Sequence, residues 1–310
     1  MSERYKQTSV LPDAPKLGLS GMGVDLCASD IHGVGRLVLI LLSSLSPTLR
    51  KSFLFGASPW HSLAQKAVQR FLGLQGPGIA HIQYMRGPLK GNFFECFTSE
   101  KYFLLGPEYE ADLQDTVRPL LKLGDVVYDI GANTGFWSLL FSVFVGSSGQ
   151  VYAFEPSPTN VLRFERNIQR NQKGNVLLTQ RAVSDTEGIV LFSDDGSTSH
   201  IVESSLSRSD GCVQVDTITL DNFVYRDLNA QPALIKIDIE GNAGRCLKGA
   251  ERVLTDARPY VLCEVHDPSE LSQVLTVLAQ LSYEIERLDA PYVYPEHILA
   301  SPSPRLLKAD

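Results

Sequence analysis

Residues Asp125–Pro156 read DVVYDIGANTGFWSLLFSVFVGSSGQVYAFEP, and this stretch decides the fold. Val126 to Ile130 is a short apolar run rich in β-branched residues, which predicts a buried strand. Gly131-Ala132-Asn133-Thr134-Gly135 follows as a glycine turn. Phe136 to Val145 is a second apolar run, long enough for a well-covered helix, and Gly146-Ser147-Ser148-Gly149 stops it. Val151 to Phe154 is another strand, ending at Glu155. Strand, turn, helix, strand and acid in this order predict a parallel pair joined by a right-handed helical crossover.

The chemistry follows from that geometry. Glycine lets the backbone turn sharply and approach a ligand, and the helix behind the turn offers N–H groups. Glu155, 24 residues after Gly131, stands near the ~20-residue spacing at which an acid meets a ribose diol. The turn lacks the third glycine of G-x-G-x-x-G, and Asp129 precedes it. A carboxylate there repels a pyrophosphate and welcomes an ammonium. S-adenosylmethionine carries an ammonium, a sulfonium and a ribose diol, so it is favoured over NAD. The candidate cofactor residues are Asp129, Gly131, Ala132, Asn133, Thr134, Gly135 and Glu155. A turn that merely closes a strand–helix corner would leave Glu155 unexplained.

A second stretch, Leu234–Gly241 (LIKIDIEG), reads as a strand that delivers acids to its carboxyl end, where ligands of open α/β sheets bind. Alternation puts Lys236, Asp238 and Glu240 on one side. Lys236 and Asp238 are candidates for catalysis, or for a purely structural ion pair, and Asp238 is also a cofactor candidate. Tyr260–His266 (YVLCEVH) predicts a neighbouring strand carrying Glu264 and His266. His266 or Asp238 is the candidate base for an alcohol, and a hydrogen-bonding support is an equal reading of His266. A divalent cation held by Asp238, Glu240 and His266 is an alternative, since carboxylates and imidazole suit such an ion.

DIGANTG, AFEPSPTN, IKIDIEG with LKGA behind it, and CEVH together resemble the FkbM family of S-adenosylmethionine-dependent methyltransferases, over roughly Gly91 to Pro302. The resemblance implies a Rossmann-like α/β fold with a seven-stranded sheet in the order 3-2-1-4-5-7-6 and helices on both faces. It implies methylation of a hydroxyl on a sugar, glycolipid or natural product, hence a small-molecule or glycan acceptor. It also brings Ser184 and Asp185, after the third strand, near the adenine, unless they are ordinary turn residues. The chain departs from the family at Ala243, where relatives usually carry a second acid. That keeps open a nucleoside-binding scaffold without catalysis, beside an N- or protein methyltransferase; a dehydrogenase is disfavoured by the turn.

The chain has 310 residues, 44% hydrophobic and 20% charged, with a net charge of −7. This is the composition of a globular protein with no general electrostatic reason to bind nucleic acid. Cys27, Cys96, Cys212, Cys246 and Cys263 are widely spaced and form no C-x-x-C, which predicts reduced thiols in a cytoplasmic protein. Leu37 to Leu45 is too short to span a membrane; it reads as a packed helix or a membrane-surface segment.

Two regions are expected: an N-terminal arm and helical extension over residues 1–80, and the methyltransferase domain over 81–310. Residues 1–35 read as a loosely ordered arm, and Leu37–Leu74 as two helices. Gly91–Phe97 and Lys101–Leu105 predict a hairpin, Glu108–Leu123 an amphipathic helix, Val176–Val183 a third strand, Ser193–Gly211 a long loop and Ala243–Thr255 one helix. Nothing in the pattern speaks to oligomeric state.

Overall fold

The computed structural model describes residues 79–97, 106–193, 212–227, 229–289 and 294–303, and the backbone of three further short strands. The chain divides into two compact units, Met1–Asp112 and Leu113–Asp310.

In the first unit, strands β1 (Lys16–Leu19), β2 (Val24–Cys27), β3 (Ile79–Tyr84) and β4 (Phe93–Phe97) form an antiparallel meander. Ala80, Ile82 and Tyr84 alternate into the interior with Phe94 and Cys96, the period expected of a half-buried sheet. Two expectations change here. The supposed loose arm contains β1 and β2, which pair Lys16 with Cys27 and Leu19 with Val24; four-residue strands are too short to show a period in sequence. Phe93–Phe97 pairs with β3, His81 opposite Glu95. The other half of the predicted hairpin, Lys101–Leu105, and the two helices predicted within Leu37–Leu74 lie outside the described residues.

The second unit carries the site. Its main sheet runs β14-β15-β13-β12-β5-β6-β7, with β5 (Val126–Ile130), β6 (Gln150–Phe154), β7 (Val176–Thr179), β12 (Leu234–Ile237), β13 (Tyr260–Val265), β14 (Tyr283–Arg287) and β15 (Glu296–Pro302). Counted along the chain, that is the expected order 3-2-1-4-5-7-6. All neighbours are parallel except β15, which runs antiparallel to β13 and β14. Every residue of β12 is buried, as strands covered on both faces must be.

Ahead of the sheet, the predicted long helix breaks up. A 3₁₀ turn at Gly106–Glu108, α1 (Ala111–Val117) and a second 3₁₀ turn at Arg118–Leu120 replace it, because Pro119 cannot continue an α-helix. Helix α2 (Phe136–Val145) follows β5, and all of its residues but Val143 are buried. Helix α3 (Pro158–Arg170) starts on a proline, and the Ser157 hydroxyl caps it by accepting the Asn160 N–H.

On the opposite face, Tyr128, Phe154 and a π-helical turn at Asn222–Arg226 make an aromatic cluster, with the Phe154 and Phe223 rings 4.9 Å apart. That face continues into α4 (Ala243–Lys248), α5 (Glu251–Asp256) and α6 (Pro268–Gln280). The single helix expected over Ala243–Thr255 is therefore two, broken at Gly249-Ala250. A Cβ on Gly249 would stand 2.1 Å from the Ser184 carbonyl oxygen, so close packing demands glycine at 249, and glycine is a poor helix former.

The expected third strand also divides. Val176–Thr179 stays in the main sheet, while β8 (Ala182–Val183) joins a small sheet with β9 (Gly188–Ser193), β10 (Ile201–Val202) and β11 (Cys212–Ile218). The predicted loop Ser193–Gly211 is thus partly strand: Ile201–Val202 pairs with Leu191–Phe192. Among the described residues no helix is long and apolar enough to cross a membrane.

One contact locks the first β–α turn to the fourth strand. Gly131 has a φ of +77°, and a Cβ there would lie 1.9 Å from the Asp238 carbonyl oxygen. Gly131→Ala combines overpacking with left-handed strain, so a loss of about 2–4 kcal/mol is expected, read as a lower denaturation midpoint in urea.

Candidate active site

The carboxyl ends of β5, β6, β12 and β13 bring the predicted residues into one region. Asp129 is fully buried on β5; its Oδ2 accepts the Ser138 hydroxyl at 2.5 Å and its Oδ1 lies 3.8 Å from Lys236 Nζ. The β5–β12 register sets Lys236 beside Asp129, and the same ammonium reaches Asp238 Oδ2 at 3.1 Å. Burial pushes the Asp129 carboxyl above its ordinary range, against the pull of Lys236 and Ser138.

The glycine turn is built around its own hydrogen bonds. The Gly131 and Ala132 N–H groups both donate to Phe154 O, Asn133 N–H to Glu155 Oε2 at 2.8 Å, and Gly135 N–H to Ala132 O. Four of the five turn N–H groups are thus satisfied within the chain, which leaves no cradle for a pyrophosphate in the turn. The glycines serve protein packing: Gly131 admits the Asp238 carbonyl, and Gly135 admits the Phe164 ring, 2.9 Å from where a Cβ would stand. Asn133 takes a left-handed φ of +50°. Thr134 is fully buried, and its Oγ1 has no hydrogen-bond partner.

Glu155 is almost wholly buried. Its Oε1 accepts Ser157 N–H at 2.9 Å, and burial pushes the carboxyl up to about 7 despite these bonds. Oε1 also accepts the Asn160 side-chain amide at 3.4 Å, so the spare acceptor capacity lies on Oε2, which accepts Asn133 N–H. The acceptor set fits S-adenosylmethionine, whose ammonium and ribose hydroxyls need acceptors: Glu155, Asp238, Asp129 Oδ1, whose only neighbour of opposite charge among the described residues is the Lys236 ammonium at 3.8 Å, and Thr134 Oγ1, which has no hydrogen-bond partner among them.

Ser184 and Asp185 are held by other elements. Ser184 N–H donates to Ile218 O, and Arg245 on α4 clamps Asp185 through Nε at 3.0 Å and Nη2 at 2.9 Å. Their hydrogen bonds tie them to β11 and α4, and none joins them to the glycine turn.

On the far side of β12 is a chain of alternating charges. His266 Nε2 lies 3.3 Å from Glu240 and 3.5 Å from Glu264, and its Nδ1 is 3.5 Å from Glu270, an ion-pair separation rather than a hydrogen bond. Glu264 also meets His297 Nε2 at 3.2 Å, and His297 Nδ1 meets Asp289 at 2.8 Å. Burial works against charging His266, but the Glu264, Glu270 and Glu240 carboxylates outweigh it and raise its pKa to about 10. The same balance raises His297 to about 9 and holds Glu264 well below the ordinary carboxylate range. An imidazolium has no lone pair to accept a proton. At neutral pH these carboxylates favour the cationic form of His266, the state suited to hydrogen-bonding support among acids.

The expected cation site is also rearranged. Asp238, Glu264 and His266 are the residues whose ligand atoms gather within 4.8 Å, with Glu264 in place of Glu240. Lys236 already pairs with Asp238, and His266 with Glu264, and no chemistry below is routed through a cation at this set.

Two residues were not singled out from sequence. His297 becomes visible only through the antiparallel register that sets it opposite Glu264. Glu270 lies on α6, where its Oε1 accepts Ala243 N–H and its Oε2 accepts His266 N–H, both at 2.8 Å.

The model of the methyltransferase FkbM domain matches residues 129–285. The chain belongs to the FkbM methyltransferase family. With the family comes its activity class, S-adenosylmethionine-dependent methyl transfer. The chain is 29% identical over 185 residues to the hexuronic acid methyltransferase AglP of Haloferax volcanii, covering 57% of this chain and 72% of that one. It is 26% identical over 234 residues to the 31-O-demethyl-FK506 methyltransferase FkbM of Streptomyces tacrolimicus, covering 66% and 84%. The crystal structure of a methyltransferase FkbM from Methylobacillus flagellatus aligns with a TM-score of 0.43 at 17% identity, over 64% of this chain and about half (52%) of that one.

The charge chain makes a direct prediction. The His266 and His297 ring resonances are expected to titrate near pH 10 and 9 in the wild type, and both midpoints are expected to fall in Glu264→Gln. Because these pKa values are raised on folding, the stability they contribute is full below pH ~6.5 and lost as pH rises through 9 to 10. NMR titration with thermal melts across pH 6–11 checks both statements; midpoints that stay put in the variant would remove Glu264 as the cause.

Proposed function

We propose that this family member transfers the methyl group of S-adenosylmethionine to a hydroxyl of a sugar, glycolipid or other hydroxylated natural product. Bound in the region of the glycine turn, the cofactor supplies an electrophilic methyl carbon. Glu155 takes the ribose diol, and the Asp129–Gly135 segment shapes the floor beneath the methionine portion. Asp238 carries the reading: it is the partly exposed carboxylate at the end of β12, held by Lys236 and within reach of both sides of the site.

Asp238 orients the acceptor hydroxyl and receives its proton. His266, already protonated, fixes Glu240 and Glu264 around the acceptor. Partly exposed carboxylates suit the hydroxyl groups of a polyol, which donate to them. The relatives AglP and FkbM carry the names of a hexuronic acid and a 31-O-demethyl-FK506 methyltransferase; both names are consistent with an oxygen-bearing acceptor. A scaffold without catalysis is the competing reading, raised by Ala243. Against it stand the family's activity class and the retained Asp129, Glu155, Asp238 and His266.

Calorimetric titration is expected to show binding of S-adenosylmethionine and none of NAD; failure to bind S-adenosylmethionine would sink the proposal. Glu155→Gln is expected to weaken that binding at least about tenfold, or 1.4 kcal/mol, with an unchanged far-UV spectrum. Glu155 titrates at about 7, and its ionised form is the better acceptor. Affinity should therefore decline as pH falls from 8 to 6, and the Gln variant should lose that slope. His266→Ala is expected to lower turnover on any acceptor found in a screen of glycans and hydroxylated metabolites, while leaving cofactor affinity nearly intact.

A further inference from the structure

Glu270 has no part in the chemistry proposed above, yet it is among the most buried charged side chains of the second unit, 2% exposed. An ionised carboxylate in such a place requires donors. It has two, both backbone N–H groups, from different segments: Ala243 opens α4 after β12, and His266 follows β13. Its Oε2 also stands 3.5 Å from His266 Nδ1. Glu270 is itself placed by the start of α6, where Asp267 caps the helix by accepting Ser269 and Glu270 N–H.

The geometry points to Glu270 as the positioning residue that clasps the β12–α4 and β13–α6 loops together, so that Asp238 and Glu240 on one and His266 on the other face the acceptor as a unit. The two parallel strands end side by side, but nothing in a parallel ladder fixes the loops beyond it. A carboxylate that accepts from both supplies that constraint. A glutamine has one acceptor oxygen and a donor amide, so it can hold only one of the two N–H groups.

This rests on the methyltransferase reading for its functional part, and the test separates the two. Hydrogen exchange is followed in the wild type, Glu270→Gln and Glu270→Ala. In the variants, the Ala243 and His266 amides are expected to exchange at least tenfold faster, while amides of β5 and β12 keep their protection. Affinity for S-adenosylmethionine is expected to stay within threefold. On an acceptor returned by the screen, kcat is expected to fall at least tenfold with little change in KM for the cofactor. Unchanged exchange at Ala243 and His266, or a uniform loss of protection across the sheet, would overturn the role. So would normal kcat in Glu270→Gln despite faster loop exchange. Should Glu270→Ala fail to fold, the isosteric Gln variant decides. Failure of the wild type to bind S-adenosylmethionine would count against the function alone, since the exchange result would still report on the clasp.

Discussion

A single buried ammonium holds the centre of this structure together. Lys236 sits in a strand whose every residue is buried, and it survives there because Asp129 stands beside it in register and Asp238 follows two residues on. Stripping water from a charge costs several kcal/mol, and removing one partner of such a group typically costs about 3–5 kcal/mol. The triad is therefore all or nothing. It forces β5 and β12 into one register, and that register sets the glycine turn against the end of β12. The contact of Gly131 with the Asp238 carbonyl is the steric counterpart of the same constraint.

From that centre the site divides by charge. Towards β6 the groups are acceptors in low-dielectric surroundings, Asp129 and Glu155, both pushed upward by burial. Towards β13 and β15 they alternate, acid and imidazolium, and the opposite signs stabilise one another. Asp238 lies between the two halves and has access to both. That arrangement suits a reaction in which a cationic methyl donor meets a hydroxyl whose proton must leave. Glu270, behind the second half, satisfies two backbone groups that the strands alone leave unpaired.

Much of the fold is legible in the chain because it rests on local signals. The β5–α2–β6 unit shows in its apolar runs and glycines, and the strand order follows from a family resemblance carried by several motifs in sequence. Where the reading went astray, packing had overruled the pattern. Pro119 broke a helix that amphipathicity favoured. The Ser184 carbonyl leaves room only for glycine at 249, and that glycine ends α4. The predicted strand Val176–Val183 was shared between two sheets, a partition that no periodicity records.

Of the site, the sequence by itself determined which chemical groups arrive at the strand ends: Asp129, Glu155, Lys236, Asp238, Glu264 and His266. Residue type and distance from a strand end are local properties, so they can be read from the chain. Only the tertiary structure decided the state of those groups. The protonation of His266 depends on Glu240, Glu264 and Glu270, which come from three segments of the chain. The part played by His297 depends on an antiparallel register, and that of Glu270 on two backbone N–H groups far from it in sequence. Charge interactions act through space and are strongest where water has been excluded, and neither separation nor burial is written in the order of residues.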